Sequence, residues 1–353
     1  MKLKSGILIL LLFSSLMSAA QEGNLFLTHY NEEMPSQLQN WSIAQDSSNN
    51  MFFANRKGIL KYDGATWEMI KTPFMPYALF AHPRTGRIFV GANRDIGTLK
   101  RNKKGRYHYN SLAADTLTSG EFINIEFVDS VLYFMSERMI IRIDPDEPQN
   151  KKYWRAAAKR PFTGILHNDD HVFINVWKEG LHRLQSDTLF PIVSGFWTKN
   201  QEILFSIPYD SSRVLLGTDE NKLFLFDGMK FYRYRVNNPD YIEESILAGA
   251  RDLSPEYFAL STLAGGVVII DKQSRQMVYT INYQTGLPDD EVSALALDHN
   301  QGLWISHPAG LTRADFSLPV RNFSAYPGNE GKLRRAVEHQ GGLYVATSEG
   351  VYH

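Results

Sequence analysis

The chain alternates short apolar runs with polar turns, and the alternation is plainest from Gly286 to Ala314, GLPDDEVSALALDHNQGLWISHPAGLTRA. A polar turn, Gly286 to Asp290, leads into an alternating strand with Val292, Ala294 and Ala296 on one face and Ser293, Leu295 and Leu297 on the other. A second turn, Asp298 to Gly302, precedes the short strand Leu303-Trp304-Ile305-Ser306. A third turn ends at Gly310, and another strand opens at Leu311. Three short strands joined by tight turns form an antiparallel meander, which cannot bury both faces alone and needs neighbours of its own kind.

Such neighbours are present in the same chain. With Leu303-Trp304 as anchor, equivalents stand upstream at Met51-Phe52, Ile88-Phe89, Leu132-Tyr133, Val172-Phe173, Val214-Leu215 and Tyr257-Phe258, and downstream at Leu343-Tyr344. Successive anchors lie 37 to 46 residues apart. The mean, about 42, is the period of a four-stranded propeller blade and not of a helical solenoid.

Other positions travel with the anchor. Asp46 and Asp298 precede it by six residues and are expected to accept hydrogen bonds from their own turn amides. Gly58, Gly310 and Gly350 follow it by six, with Gly97, Gly180 and Gly265 slightly further out, where a strand-to-strand turn needs a positive φ or a close backbone approach. The units at Leu132 and Val214 lack this Gly, so their turns should differ. Strands ending at Asp63-Gly64, Asp227-Gly228 and Asp271 then signal a hairpin into a fourth strand.

These signals predict an all-β fold, a β-propeller of four-stranded antiparallel blades, seven or eight in number. Helical patterns are confined to Lys151–Lys159 and Asp240–Leu247. Leu25–Tyr30 reads as a last strand without its own unit, and the final unit stops at His353 before a fourth strand. Either the N-terminal strand completes that final unit and closes the ring or the chain is a fragment of something longer, and an abrupt end within a repeat favours the fragment.

Composition narrows the function. The net charge is −1, from 37 basic and 38 acidic residues, and no basic run stands out after the first residues. That pattern gives no electrostatic footprint for nucleic acid or an anionic membrane. The chain has no Cys, which excludes disulfides, thiolate metal sites and thiol catalysis. Lys2 and Lys4, an apolar run from Gly6 to Met17 and the small residues Ser18-Ala19-Ala20 form a signal peptide over 1–20. That run is too short to cross a bilayer core of about 30 Å. Residues 21–353 then read as one propeller of about eight units, the last incomplete, without linker or transmembrane run. The expected location is periplasmic or cell-surface, with a membrane tether only if the protein continues past His353.

The repeat resembles that of the two-component regulator propeller family, through Leu287-Pro288-Asp289 to Leu297-Asp298, Gly302-Leu303-Trp304-Ile305 and Gly310-Leu311. Trp41 to Asp46, Met51-Phe52-Phe53, Gly58-Ile59-Leu60 and Tyr62-Asp63-Gly64 match its first-unit variant, similar to sensors of Bacteroidetes-type bacteria. The resemblance is strong in the first and last two units and weak between Gly105 and Asp240. It implies an extracytoplasmic seven-bladed propeller, often one of two in tandem, continuing into a triple-tyrosine immunoglobulin-like domain, a membrane helix and an output such as a histidine kinase. It also implies an extracellular ligand, of which oligosaccharide is the suggested class, and a homodimer in the full-length receptor.

Chemistry-bearing residues are few. His167 and His171 are four apart, but on a strand-turn-strand segment that spacing does not form a metal pair. No phosphate loop, nucleophile elbow or zinc-helix motif occurs, and neither catalytic residue, metal nor cofactor is expected. Trp41, Trp67 and Trp304 occupy repeat positions and should pack between blades. Trp177 and Trp197, in the least regular units, and Arg94-Asp95, in a longer turn, are the candidate ligand contacts. The expected function is an extracytoplasmic ligand-binding sensor whose membrane and output parts are absent here. The alternatives are an exported propeller enzyme acting on glycans and a non-catalytic interaction scaffold.

Overall fold

The computed structural model describes residues 24–31, 34, 39–113, 120–316, 321–322 and 332–352. The segment 1–20, expected to be a signal peptide, lies outside these. The chain groups into two compact units, Leu27–Ser317 and Met1–Phe26 with Leu318–His353.

In the larger unit, six blades are four-stranded antiparallel sheets in chain order. Blade 1 spans 40–70, blade 2 76–111, blade 3 124–155, blade 4 162–191, blade 5 203–234 and blade 6 247–281. Blade 7 has three strands of its own, Ala294–Leu297, Gly302–His307 and Gly310–Asp315; its fourth place is taken by the strand Asn24–Tyr30, and the short strand Arg321–Asn322 pairs with Asn24 and Leu25. The first strands of successive blades lie side by side, and that of blade 7 meets that of blade 1, Asn40–Gln45. The ring therefore closes at seven blades: the N-terminal strand completes the seventh unit, a correction to the expectation that it would complete the final one.

The exchange of strands is visible at two glycines. Gly58 has φ +140°, and a Cβ there would lie 2.4 Å from the carbonyl oxygen of Ile70, in the fourth strand of its own blade. Gly310 has φ +131°, and its Cβ would lie 2.7 Å from the carbonyl oxygen of Tyr30. Tyr30 thus fills in blade 7 the place that Ile70 fills in blade 1. Across the seam the hydroxyls of Ser293 and Ser306 donate to the Asn40 carbonyl at 2.7 and 2.9 Å. The amide of His299 donates to Oε1 of Gln45 at 2.7 Å.

Burial follows the repeat. The anchors Phe52, Phe89, Phe173, Leu215 and Phe258 are wholly buried, and Tyr133 and Trp304 nearly so. Their clusters span neighbouring blades: Phe53 and Leu60 pack with Trp304 and Leu311, and Phe52 and Ile59 with Ile88 and Val90. Each meander thereby covers the face its neighbour exposes, worth about 1.5 to 3 kcal/mol per buried large apolar side chain.

Two expectations are corrected or refined here. Lys151–Arg155 is the fourth strand of blade 3, paired with Met139–Ile143, because cross-strand partners such as Ile140 opposite Trp154 outweigh its weak helical pattern. Pro239–Ser245 is a short helix, begun at Pro239. The blades without the anchor Gly turn differently, blade 3 with Ser136 and Met139 hydrogen-bonded to each other and blade 5 with Asn221 at φ 58°.

Of the eight repeat units, seven lie in Leu27–Ser317. The eighth anchor, Leu343-Tyr344, belongs to the smaller unit, in a three-stranded sheet of Leu333–His339, Gly342–Thr347 and Val351–Tyr352. Its apolar positions, Leu333, Val337, Leu343 and Val351, are exposed.

Candidate functional site

The turns between the second and third strands of each blade, and the loops that enter each first strand, lie at one end of the ring by the antiparallel order. At that end the first strands of blades 1, 2, 4, 5 and 6 carry a bulge, because their register slips by one residue. The extra residues are Trp41, Tyr77, Thr163, Leu204 and Ala248. A bulge takes one side chain out of the alternation and re-aims it, and since these strands line the axis, five side chains are presented at its rim. Gly164 and Gly249, directly after two of the bulged residues, are the trace that sequence reading could have used.

Trp41 is therefore corrected: it is half-buried at a bulge and packs against Tyr77, ring centroids 5.7 Å apart, outside the inter-blade cores. The Tyr77 hydroxyl donates to Oε1 of Glu121 at 2.7 Å, and burial with this carboxylate pushes its pKa up to about 12. Trp304 and Trp67 do belong to the blade 7 to blade 1 interface, Trp304 stacked on Tyr30 at 5.0 Å and Trp67 on Tyr62 at 4.3 Å.

Three clefts open over blades 3 to 5, in the region where the repeat is weakest. One of about 520 Å³ is lined by Glu121, Ile123, Glu137, Arg138 and Arg155 among others. A second, of about 440 Å³, runs between Ile123, Met135 and Glu137 of blade 3, Lys159, Pro161 and Trp177 of blade 4, and Glu202 and Leu204 of blade 5. A third, about 390 Å³, lies between the outer strand of blade 3 and blade 4, with Trp154, Arg160, Glu179 and His182 in its walls.

The second cleft is held from behind by Asn175, which is fully buried. Its amide donates to Oγ1 of Thr163 at 2.8 Å and to the carbonyls of Thr198 and Gln201 at 3.2 and 2.8 Å. Thr198 donates back to the Asn175 carbonyl at 2.5 Å. One side chain thus fixes the 3₁₀ segment Val193–Asn200 and the approach to Glu202 against blade 4. Partial burial pushes the Glu202 carboxyl up, and the nearby charges of Asp219 and Glu137 add to the rise.

The four candidate contacts are not brought together. Trp177 is half-buried and lines the second cleft. Arg94 is exposed on the blade 2 turn at φ 61°, with its amide donating to the Gly120 carbonyl at 2.7 Å. Asp95 is buried in blade 2, where it accepts from the hydroxyls of Tyr109 at 2.9 Å and Ser111 at 2.8 Å, and burial pushes its pKa up. Trp197 packs on Phe224 at 4.2 Å and Phe231 at 5.1 Å, filling the gap between the blade 4 loop and blade 5. Sequence reasoning missed Glu137, Glu202 and Glu121, because an isolated glutamate in an irregular turn carries no pattern.

The opposite end carries the regular turns. Asp298 accepts from the amides of Asn300 and Gly302 at 2.9 and 2.8 Å, from the Trp304 indole at 2.9 Å and from Nε of Arg313 at 2.6 Å. Burial alone would raise its pKa, but Arg313 and these donors together hold it below the usual value. Asp46 likewise accepts from the amides of Ser48 and Asn50 at 2.8 and 2.9 Å, so both aspartates are turn builders as expected. His167 pairs with Glu126 at 2.8 Å across blades 3 and 4, which raises its pKa, while His171 is exposed. A further correction concerns charge: Lys100, Arg101, Lys103, Lys104 and Arg106 crowd one exposed hairpin of blade 2, a basic cluster hidden by the neutral total.

Comparison with known proteins locates the fold. No model of a known protein family matches the chain, and no curated protein sequence does. Among solved structures, the extracellular domain of a B. thetaiotaomicron protein described as a hybrid two-component system matches with TM-score 0.68 and 14% identity, over 93% of this chain and 48% of that one. A second B. thetaiotaomicron extracellular domain, from a protein described as a one-component system, gives 0.61 and 12%, over 93% and 46%. The chain spans about half the length of these two domains. Virginiamycin B lyase from Staphylococcus aureus gives 0.61 and 13%, over 82% and 99%. These likenesses bear out the propeller expected from the repeat, including its resemblance in fold to two-component regulator propellers. Among the described residues no helix is long and apolar enough to cross a membrane.

Proposed function

We propose that this chain is the ligand-reading propeller of an exported signal-transduction protein whose membrane and output parts lie outside it. The observation that carries this is the clustering of three clefts on one end of blades 3 to 5, where the repeat has been given up while the strand order has not. A rigid ring with irregular loops separates framework from specificity. The half-length match to two extracellular domains of bacterial signalling proteins supports the same reading. Signalling then requires that ligand bind two receptor states with different affinity.

The test is a thermal-shift and calorimetric screen of residues 21–353 against neutral and charged oligosaccharides and small organic cations and anions. A binder should raise the melting temperature, and Trp177→Ala should lose it without loss of fold. No response across the screen, or a response indifferent to Trp177, defeats this assignment of the face.

A second reading has one observation in its favour: Glu137 and Glu202 share a cleft, as a pair of carboxylates must in glycoside hydrolysis. Sugar turnover by the chain that vanishes in Glu202→Gln or Glu137→Gln would establish that reading.

A further inference from the structure

The 440 Å³ cleft has a composition that selects among ligands. One wall is apolar, with Trp177, Pro161 and Leu204. The rest of the rim carries two carboxylates, Glu137 and Glu202, and one cation, Lys159. Neither carboxylate makes an ion pair among the described residues, and Lys159 makes none either. Asp219 stands behind Glu202 and accepts its backbone amide at 3.0 Å, adding a third negative charge on that side. Burial first, and then the charges of Asp219 and Glu137, raise the pKa of Glu202.

An aromatic face beside carboxylates without an ion-pair partner favours a cation. The ring quadrupole attracts an ammonium group, and so do the carboxylates. A neutral polyol would gain hydrogen bonds here but would leave the charge surplus uncompensated.

We infer that this cleft takes a ligand with an ammonium group attached to an apolar body, the ammonium set between Glu137 and Glu202 and the body against Trp177. The inference rests on the reading of this face as ligand-binding and deepens it by naming the charge of the ligand. The lysine at the rim acts against it, so the site discriminates: Lys159 opposes the ligand that Glu137 and Glu202 attract.

The experiment measures binding of phenethylammonium, of neutral 2-phenylethanol and of 3-phenylpropanoate to residues 21–353 by calorimetry and by Trp fluorescence. Phenethylammonium should bind at least tenfold more tightly than 2-phenylethanol, and 3-phenylpropanoate should bind least. Glu137→Gln and Glu202→Gln should each weaken the ammonium at least fivefold, Lys159→Gln should strengthen it, and added salt should weaken it. All three residues are exposed, so the variants should fold, and unchanged circular dichroism and melting temperature check this.

Equal binding of ammonium and alcohol overturns the inference, as does indifference to both Gln variants or weaker binding in Lys159→Gln. A neutral oligosaccharide that binds through Trp177, with no response to phenethylammonium, also overturns it and leaves the ligand-reading role standing.

Discussion

Blade 7 and blade 4 share a strand order and differ in what their turns and interfaces are built for. In blade 7 the repeat residues are consumed by structure: Asp298 ties its own turn to Trp304 and Arg313, and Trp304 stacks on Tyr30 of the closing strand. The turn after His307 is short and buries its surroundings. In blade 4 the equivalent turn holds Trp177, Lys178 and Glu179, a 3₁₀ segment follows the last strand, and a buried Asn, at the other end of the blade from the Asp position, is the hub. The irregular blade is hydrogen-bonded as the regular one is, but its bonds fasten a loop beyond its last strand where those of blade 7 fasten its own turn. The repeat is eroded here without loss of strand order.

That contrast can be broken most forcefully at the seam. Trp304→Ala removes a nearly fully buried indole shared by blade 7, blade 1 and the closing strand, and should cost about 3 to 5 kcal/mol in denaturant unfolding. A loss under 1 kcal/mol would mean the ring does not depend on this interface.

The next effect is in pH. His307 is buried and bonds the Thr312 hydroxyl at 2.8 Å, and burial lowers its pKa from 6.5 to about 4. Between these values the unfolded chain binds the additional proton, so the stabilisation is complete above pH 6.5 and is lost as pH falls through about 4. The loss is on the order of 3 kcal/mol. His307→Gln should flatten the stability profile over that window, and an unaltered profile would reassign the pH dependence to other groups.

Gly310→Ala should follow, at about 1 to 3 kcal/mol, since it meets both a positive φ and the Tyr30 carbonyl. Limited proteolysis at the N-terminal strand should report it as faster cleavage. Smallest of all, Trp177→Ala should change stability by no more than about 0.5 kcal/mol while abolishing ligand response. A large destabilisation there would make blade 4 a packing element like blade 7 and remove the distinction.

Much of the fold was legible because a repeat tests itself. A 42-residue period over eight anchors, with Gly and Asp at fixed offsets, leaves few alternatives to a propeller. Less of the candidate site was legible. Trp177 was found through its departure from the repeat, but Trp197, chosen by the same argument, serves packing, and Asp95 is committed to Tyr109 and Ser111. Departure from a repeat says that a residue has another task without saying which, since a loop needs fillers as much as contacts.

The sequence by itself determined the strands, their turns and the period, because alternation, Asp-Gly turns and positive-φ glycines act over a few residues. Only the tertiary structure decided that seven units close and that the eighth belongs to another compact unit, because Tyr30 meets Gly310 across some 280 residues and no local signal spans that distance. It also decided where the clefts fall. A one-residue bulge re-aims Trp41, Tyr77, Thr163 and Leu204, and a cleft is made by side chains from three blades that no spacing in the sequence links.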